Sequence, residues 1–420
     1  MFRFIHASDL HIDSPLRGLD RYEGAPVERL RAATRRALER MVDKAISEQV
    51  DFVLLAGDIY DRDWQDFHTG LFFREQMVRL GRANIRVFII QGNHDAQGVI
   101  SRQLALPPNV TTFSNRSAQT VRLEELSVAI HGRSFPDRVV DEDLVPSYPD
   151  PVPGFFNVGM LHTSLTGRPG HDPYAPTDLS TLIAKGYDYW ALGHVHAREV
   201  ICEQPRIVFS GNLQGRHANE TGAKGCEFVT VEAGRIEAEF VPLDVVRWNQ
   251  VVLSLTGVDQ LDALSGIFHE AMEPMLIGAT DRLHAVRITL AGSTALHHTE
   301  AAQPGTLAAA LQAAAQDLSD VEVWIEQVRL ELSTPLDRVQ AALRQDAVGE
   351  LVRLVDAMAA NPAELTALAQ TTLGDLLGAM PPEIAAGDVP KLDNVDELKR
   401  LLLDAEATVL ARLAASGEGT

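Results

Sequence analysis

Side chains able to bind metal ions follow five apolar runs of the sequence. The runs are residues 2–7 (FRFIHA), 52–56 (FVLLA), 87–91 (VFIIQ), 158–161 (VGML) and 189–192 (YWAL). The side chains that come after these runs are Asp9 and His11, Asp58, Asn93, His94 and Asp95, His162, and His194 and His196. Because ligands bind beyond the carboxyl ends of the strands in an open α/β sheet, we expect these groups to converge on one site.

The residue types indicate a site for metal ions that act on an oxygen-containing substrate. Carboxylate oxygen and imidazole nitrogen, without thiolate, suit manganese, iron or zinc. Two such ions about 3.5–4 Å apart need a ligand that touches both of them, and Asp58 is the candidate bridge. Since a pair of ions activates water and neutralises charge on a phosphoryl group, the predicted chemistry is phosphate-ester hydrolysis.

No single group among these residues is specific. Asp-x-His occurs by chance in many chains, and a lone histidine usually lies on the surface or in the core. His6, inside the first apolar run, is predicted to be such a core histidine. Five polar groups placed directly beside core strands are costly unless they are paired or bound. The combination therefore predicts one functional site.

The elements that position these groups are typical of an α/β protein. Residues 1–246 alternate strand-like runs with amphipathic helical stretches, including a helix predicted between Pro26 and Val50. Three later runs, residues 207–209, 227–231 and 236–241, are predicted to form a second sheet. Residues 247–334 predict a small α+β domain, and residues 335–420 are predicted to be helical.

Composition limits the class of protein. A chain of 420 residues is too long for one compact domain, and 45% hydrophobic with 23% charged residues is typical of globular rather than disordered or fibrous proteins. Two cysteines provide neither a disulfide framework nor a cysteine-based zinc site. With no signal peptide and no apolar run long enough to cross a bilayer, we expect a cytoplasmic protein. The net charge of −21 means that any nucleic-acid binding needs metal ions, a local basic groove or a partner.

The series Asp-x-His, Gly-Asp, Gly-Asn-His-Asp, His and Gly-His-x-His, over residues 1–215, resembles the calcineurin-like metallophosphoesterases. Residues 4–11 (FIHASDLH) and 57–62 (GDIYDR) resemble the DNA-repair nuclease branch of that family, which includes the SbcD-type proteins. Residues 62–66 (RDWQD) and 211–217 (GNLQGRH) are more similar to the YhaO-type subgroup. The resemblance implies an α/β fold: a two-sheet sandwich flanked by helices, followed by a small α+β capping domain and a helical tail.

Carried over residue by residue, the resemblance implies two divalent metal ions. The first would be held by Asp9, His11, Asp58 and His196, and the second by Asp58, Asn93, His162 and His194. Mn²⁺ is expected first, with Mg²⁺, Fe²⁺ or Zn²⁺ as alternatives. His94 would be the general acid, with Asp95 holding its imidazole. Asp61, where many archaeal and eukaryotic relatives have histidine, is left as either an outer support of the site or a turn residue.

The implied function is a metal-dependent DNA exonuclease and/or endonuclease that uses a two-metal mechanism within a DNA-repair complex. The implied partners are DNA, an ATPase subunit whose coiled coil binds the helical tail, and a second copy of the chain contacted through Leu16–Ala45. No membrane is expected. The apolar stripe of the last helix is also consistent with packing on the protein itself.

Three residues are weaker candidates for substrate contacts: Arg62, Arg216 and His217. Arg62 is about equally consistent with a surface pair to Asp63 or Asp66. Arg216 and His217 lie in a loop predicted to reach the site, and the alternative is a solvated loop.

Two other functions fit the same residues. A phosphodiesterase or phosphatase for small nucleotides or phosphoproteins would use the same metal site, because fold and ligands do not determine the substrate. A duplex-binding enzyme should instead show a basic rim, for which the candidates are Arg17, Arg21, Arg62, Arg102 and Arg216. A non-catalytic scaffold would tend to lose ligands or the acid, whereas every position is filled here.

Overall fold

The computed structural model describes residues 1–14, 25–61, 67–95, 105–166, 174–335, 337–380 and 391–417. The chain divides into two compact units. The first comprises Met1–Asn249 and Asp281–Ala285, and the second comprises Gln250–Thr280 and Val286–Thr420.

The first sheet of the first unit carries three of the five predicted site loops. Its strands within the described residues are β1 (Phe2–Ala7), β2 (Phe52–Ala56), β3 (Arg86–Ile90), β4 (Val110–Thr112), β11 (Gly225–Glu232) and β12 (Arg235–Pro242), in the order β12-β11-β1-β2-β3-β4. Strands β1 to β4 are parallel, and β11 pairs antiparallel with both β1 and β12. The parallel strands therefore end at the same edge, where Asp9, Asp58 and Asn93 follow.

The second sheet carries the other two loops. Its described strands are β5 (Gln119–Leu123), β6 (Val128–Gly132), β7 (Phe156–His162), β8 (Tyr189–Gly193), β9 (Glu199–Cys202) and β10 (Arg206–Phe209), in the order β5-β6-β7-β8-β10-β9. The expectation that residues 207–209, 227–231 and 236–241 form this sheet together was wrong. Only the first of them, in β10, belongs to it, because the other two pair beside β1 through backbone hydrogen bonds.

The two sheets pack face to face over an aromatic cluster. Phe4 and Phe52 stack with their ring centroids 5.0 Å apart, and Tyr189 of the second sheet meets Phe4 edge-on at 5.1 Å. Alternate residues of β1, Ile5 and Ala7, point to the other face and pack in the layer formed with the helices. Since both faces of β1 are buried, its sequence is almost continuously apolar.

Helices α1 (Val27–Ser47) and α2 (Phe67–Arg82) cover that other face of the first sheet. The buried stripe of α1 includes Leu30, Leu38, Met41 and Ala45, at the spacing of one helix face. A short helix, α3 (Leu179–Ala184), precedes β8 and begins at Asp178, whose side chain accepts from the backbone N–H of Thr181.

The second unit contains most of a three-stranded sheet with its own core. The strands β13 (Val246–Ser254), β14 (Leu283–Ser293) and β15 (Glu322–Ser333) run in that order, with helices α4 (Ala263–Leu276), α5 (Leu296–Ala302) and α6 (Thr306–Gln316). Leu253, Phe268, Ile288 and Leu311 are buried together in this core.

The helical tail comprises α7 (Arg338–Ala342), α8 (Ala347–Ala359), α9 (Pro362–Gly378) and α10 (Val395–Gly417). Helix α10 packs against α5 and β15 within the second unit and buries Leu398, Leu410 and Ala411. Val409 of the same helix remains 43% exposed. The tail therefore uses part of its apolar surface internally. Within the described part of the chain, no helix has the length and apolar character required to cross a membrane.

His6 is a core histidine, as predicted. It is fully buried, its Nε2–H donates to the Leu192 carbonyl at 3.1 Å, and its Nδ1 lies 3.1 Å from the Tyr189 hydroxyl. Burial lowers the pKa of His6 to about 3, from an ordinary value of 6.5. The neutral ring is thus the form that the folded protein holds.

This burial predicts a pH-dependent loss of stability. As pH falls below 6.5 the unfolded chain binds a proton at His6 that the folded chain does not, so the free energy of unfolding decreases until about pH 3. Between pH 7 and pH 5 the loss from this residue should be about 2 kcal/mol. Urea unfolding of the wild type and of His6→Gln at both pH values measures it. An equal pH effect in the two proteins would contradict the prediction.

Candidate active site

The loops after β1, β2, β3, β7 and β8 meet at one edge of the sandwich, so the predicted convergence is observed. Several hydrogen bonds join the sheets there, among them the following two. His162, at the end of β7, donates from Nδ1 to the Ala56 carbonyl at 2.9 Å. The backbone N–H of His194 donates to the Asp9 carboxylate at 3.0 Å.

One group of ligands contains Asp9, His11 and His196, whose donor atoms all lie within 4.8 Å of one another. The Nε2 atoms of His11 and His196 are 3.2 Å apart. His196 donates from Nδ1 to Glu220 Oε1 at 2.7 Å, which leaves the lone pair of a neutral ring on Nε2. Two imidazole nitrogens therefore face each other beside a carboxylate, as the ligands of a cation do.

The second group contains the buried side chains of Asp58, His162 and His194, again within 4.8 Å. Because Nδ1 of His162 donates to Ala56, its Nε2 carries the lone pair in the neutral ring. That nitrogen nevertheless faces Asn93 Oδ1 at 3.0 Å and Asp58 Oδ2 at 3.4 Å. Three electron-rich atoms converge on one point, and only a cation or a proton between them relieves the repulsion.

Asp58 lies between the two groups and is 1% exposed. Its Oδ2 is 3.9 Å from His11 Nε2 as well as 3.4 Å from His162 Nε2, and its Oδ1 accepts from the backbone N–H of His94 at 2.9 Å. Burial raises the pKa of Asp58, but the charges of His162 and His11 outweigh burial and hold that pKa well below its usual range. One ionised carboxylate is thus placed to serve both groups.

The donor set fits two divalent metal ions. Burial lowers the pKa of His162, but the charge of Asp58 outweighs burial and raises that pKa to about 9. The site thus favours a positive charge beside Asp58, which a metal ion would supply in place of a proton. Asp9, His11 and His196 would hold one ion and Asn93, His162 and His194 the other, with Asp58 shared. Oxygen and imidazole ligands accept manganese, iron or zinc alike, so the identity of the metal stays open.

The backbone is constrained where it carries these ligands. Asp9, His11, Asp58 and His194 all have positive φ, between 42° and 96°. Non-glycine residues seldom adopt this conformation, and it is concentrated at functional sites. Gly92 has no such φ, but a Cβ added there would lie 2.3 Å from Asp58 Oδ1. The glycine is therefore needed for the close approach of β3 to the bridge.

The carboxylate partner of His94 is Asp61, not Asp95. His94 donates from Nδ1 to Asp61 Oδ1 at 2.7 Å, and Ser14 donates to Asp61 Oδ2 at 2.6 Å. Burial raises the pKa of Asp61, but the bond from His94 and the charge of His11 outweigh it and hold that pKa well below its usual range. The open question about Asp61 is therefore answered, since it supports the site through His94.

The prediction that Asp95 holds the imidazole was wrong because its carboxylate is already used by the backbone. Asp95 accepts from the N–H groups of Ile59 and Tyr60, each at 3.0 Å, and lies 3.3 Å from the N–H of Gly92. Burial and the charge of Asp58 raise its pKa to about 7. Asp95 therefore stabilises the turns after β2 and β3 and does not orient His94.

Of the weaker candidates, Arg216 reaches the site and His217 lies at its margin. Arg216 Nη2 is 3.0 Å from Glu220 Oε1 and 3.3 Å from His196 Nδ1. His217 has a side chain that is 57% exposed, with Nε2 3.7 Å from Glu220 Oε1. Arg62 falls outside the described residues, as do Arg17, Arg21 and Arg102 of the predicted rim.

Glu220 is a site residue that sequence reasoning missed. It is 7% exposed and accepts from His196, so it orients a candidate metal ligand in the way that outer carboxylates commonly do. Burial raises its pKa, but the bond from His196 and the charge of Arg216 outweigh it and hold that pKa well below its usual range. The only signal was its position three residues after the GNLQGRH segment, which by itself predicts nothing.

Comparison with known proteins agrees with this geometry. The calcineurin-like phosphoesterase family matches residues 2–198, and the middle domain of metallophosphoesterase YhaO matches residues 248–333. The uncharacterized metallophosphoesterase YhaO of Bacillus subtilis (strain 168) is 35% identical over 335 residues, which are 79% of this chain and 81% of that protein.

Two solved structures are similar at low sequence identity. The crystal structure of the protein TT1561 from Thermus thermophilus is 11% identical, with a TM-score of 0.36, and covers 58% of this chain and 99% of its own. A dimetal phosphatase from Danio rerio is 12% identical, with a TM-score of 0.34, and covers 57% of this chain and 95% of its own. On the family match and the YhaO relative, the chain belongs to the calcineurin-like metallophosphoesterases.

Proposed function

We propose that this metallophosphoesterase is a DNA nuclease that hydrolyses phosphodiester bonds as a subunit of a DNA-repair complex. The observation that carries the hydrolytic part is the His94–Asp61 pair, 2.7 Å apart, beside groups of side chains that could hold metal ions, with Asp58 within 4 Å of both His11 and His162. DNA as the substrate is supported by the resemblance of residues 4–11 and 57–62 to DNA-repair nucleases.

His94 is the residue that acts on the leaving group. When bound, the two divalent ions would activate a water molecule and neutralise charge on the phosphate. The Nδ1–H of His94 is committed to Asp61, so Nε2 is the atom left to donate a proton to the leaving oxygen. The bond from its backbone N–H to Asp58 Oδ1 holds the ring next to the bridge.

A second candidate is a phosphodiesterase or phosphatase for small nucleotides or phosphoproteins. The net charge of −21 opposes binding to a long polyanion. Among the described members of the predicted basic rim, Arg216 is paired with Glu220 rather than open to a duplex. Under this alternative the metal site and the roles of His94 and Asp61 stay the same.

The proposal includes the partners expected from the resemblance. An ATPase subunit with a coiled coil would supply the DNA binding that the acidic chain lacks, and a homodimer would place two sites on one substrate. Mn²⁺ is the proposed metal. These elements follow from the family of nucleases that the sequence resembles.

Loss of the acid should abolish DNA cleavage. We expect His94→Ala to lower the rate of Mn²⁺-dependent cleavage of a labelled linear duplex or its single-stranded form by about 10²–10⁴-fold, the usual contribution of a general acid. Bis-p-nitrophenyl phosphate, whose leaving group needs little protonation, should be affected less. An unchanged rate on DNA would refute the role of His94.

The wild-type substrate profile separates the two candidates. Cleavage of DNA supports the nuclease, whereas hydrolysis of the small ester alone, also after addition of candidate ATPase subunits, would favour the small-substrate enzyme. A wild type inactive on every ester with Mn²⁺ would contradict both.

Replacing Asp61 or Asp95 with asparagine should change different properties of the protein. Asp61→Asn replaces the charged acceptor of His94 by a neutral amide oxygen and should lower kcat on DNA by about 10–100-fold while leaving the unfolding temperature nearly unchanged. Asp95→Asn replaces one of the two acceptor oxygens by an NH2 group, which then faces the backbone N–H of either Ile59 or Tyr60, and should lower the free energy of unfolding by about 1–3 kcal/mol. Steady-state kinetics and thermal unfolding of both variants check this. The reverse pattern would restore Asp95 as the partner of His94.

A further inference from the structure

We propose that Arg216 is a positioning residue that joins the two outer carboxylates of the site, Glu220 and Asp61. Glu220 holds the metal ligand His196, and Asp61 holds the acid His94. The inference rests on the proposed phosphoester hydrolysis, but not on DNA as the substrate.

The segment that carries Arg216 is anchored by the two residues directly before it. Gln214 donates from Nε2 to the Val246 carbonyl at 2.6 Å and accepts on Oε1 from the backbone N–H of Val245 at 2.9 Å. Trp248 donates from Nε1 to the Gly215 carbonyl at 2.9 Å. The GNLQGRH segment, which the metal-ligand set leaves unexplained, therefore presents Arg216 from a fixed backbone.

One arm of the guanidinium reaches the metal ligand through Glu220. Arg216 Nη2 donates to Glu220 Oε1 at 3.0 Å, the same oxygen that accepts from His196 Nδ1 at 2.7 Å. The other oxygen, Oε2, accepts from the backbone N–H of Arg216 at 2.7 Å and from Asn212 Nδ2 at 3.0 Å. Both the side chain and the backbone N–H of Arg216 therefore donate to the Glu220 carboxylate.

The other arm reaches the acid through Asp61. Arg216 Nη1 lies 3.9 Å from Asp61 Oδ2 and 3.5 Å from Ser14 Oγ, toward which it donates. Ser14 in turn donates to the same Asp61 oxygen at 2.6 Å. A continuous chain of contacts therefore runs from His196 through Glu220, Arg216 and Asp61 to His94.

The geometry requires arginine rather than any cation. A planar guanidinium presents two separate nitrogens in a fixed fork, whereas a lysine ammonium is a single point charge. The Arg216 side chain is 15% exposed, and each Nη faces a carboxylate of the protein. Both terminal nitrogens are therefore engaged within the site rather than held open for a substrate phosphate.

The test measures metal affinity and catalysis separately in Arg216→Gln and Arg216→Lys, alone and combined with Glu220→Gln or Asp61→Asn. Mn²⁺ binding to the metal-free protein is followed by calorimetry, and kcat and KM are measured on the dinucleotide TpT, a small phosphodiester whose alkoxide leaving group needs a proton. Arg216→Gln should weaken Mn²⁺ binding and lower kcat, each by about 10-fold, the lower end for outer-shell partners, and should change KM by less than about threefold. Arg216→Lys should recover at most one of the two effects, and it also serves as the test if Arg216→Gln fails to fold.

Double variants test whether Arg216 acts through Glu220 and Asp61, because substitutions that act through the same contacts have effects that do not add. In the Glu220→Gln protein, Arg216→Gln should weaken Mn²⁺ binding by less than about twofold, and in Asp61→Asn it should lower kcat by less than about twofold. The matched control is Arg235→Gln, whose side chain is 80% exposed, and it should leave both quantities unchanged. A higher KM with unchanged kcat and Mn²⁺ affinity would overturn the inference in favour of a substrate contact. Fully additive effects, or no effect on Mn²⁺ affinity, would overturn it as well. If the wild type hydrolyses the small ester but does not cleave DNA, only the proposal of DNA as the substrate is refuted.

Discussion

The buried carboxylate of Asp58 stands at the junction of the two sheets, and much of the site follows from the need to balance its charge. An ionised carboxylate with 1% exposure costs several kcal/mol unless positive or donor groups surround it. His11 follows a strand of the first sheet and His162 ends a strand of the second, so the groups that surround the Asp58 charge depend on how the two sheets pack. The Phe4, Phe52 and Tyr189 cluster holds the sheets together, and the bond from His162 to the Ala56 carbonyl sets the ring that faces Asp58.

The acidic residues around this centre accept hydrogen bonds from different groups. Asp61 and Glu220 each accept the Nδ1 proton of one histidine, which leaves the Nε2 of that histidine for its task. Under the proposed function, the task of His196 is metal binding and that of His94 is proton transfer to the leaving group. Asp95 is more deeply buried than either Asp61 or Glu220 but accepts only from backbone N–H groups, so it maintains the turns that carry Asp58 and Asn93. Three acidic residues thus have three different roles, decided by which donors surround them.

The strand ends and the convergence of the polar side chains that follow them could be predicted from the sequence, because each apolar run is buried on both faces and because side chains that follow parallel strands meet at one edge of a sheet. The runs at residues 2–7 and 52–56 match β1 and β2 in full. The sheet to which each strand belongs could not be predicted. Strand β11 pairs with β1, which lies more than two hundred residues earlier in the chain, and the periodicity of a strand does not indicate which strand it pairs with. The resemblance to the family assigned Asp95 to His94, whereas the turn after β3 directs its carboxylate to the backbone N–H groups of Ile59 and Tyr60. Glu220 lies in a loop without periodic pattern, so only the fold brings it to His196.

We propose that Asp58 joins two metal ions in one site. A Mn²⁺ titration of the metal-free protein tests this directly, with bound metal counted by mass spectrometry and the ions observed by electron paramagnetic resonance. We expect two Mn²⁺ per chain whose spins are coupled, because a shared carboxylate would hold them about 3.5–4 Å apart, and we expect loss of that coupling in Asp58→Asn. A single Mn²⁺ per chain, or two ions without coupling in the wild type, would contradict it.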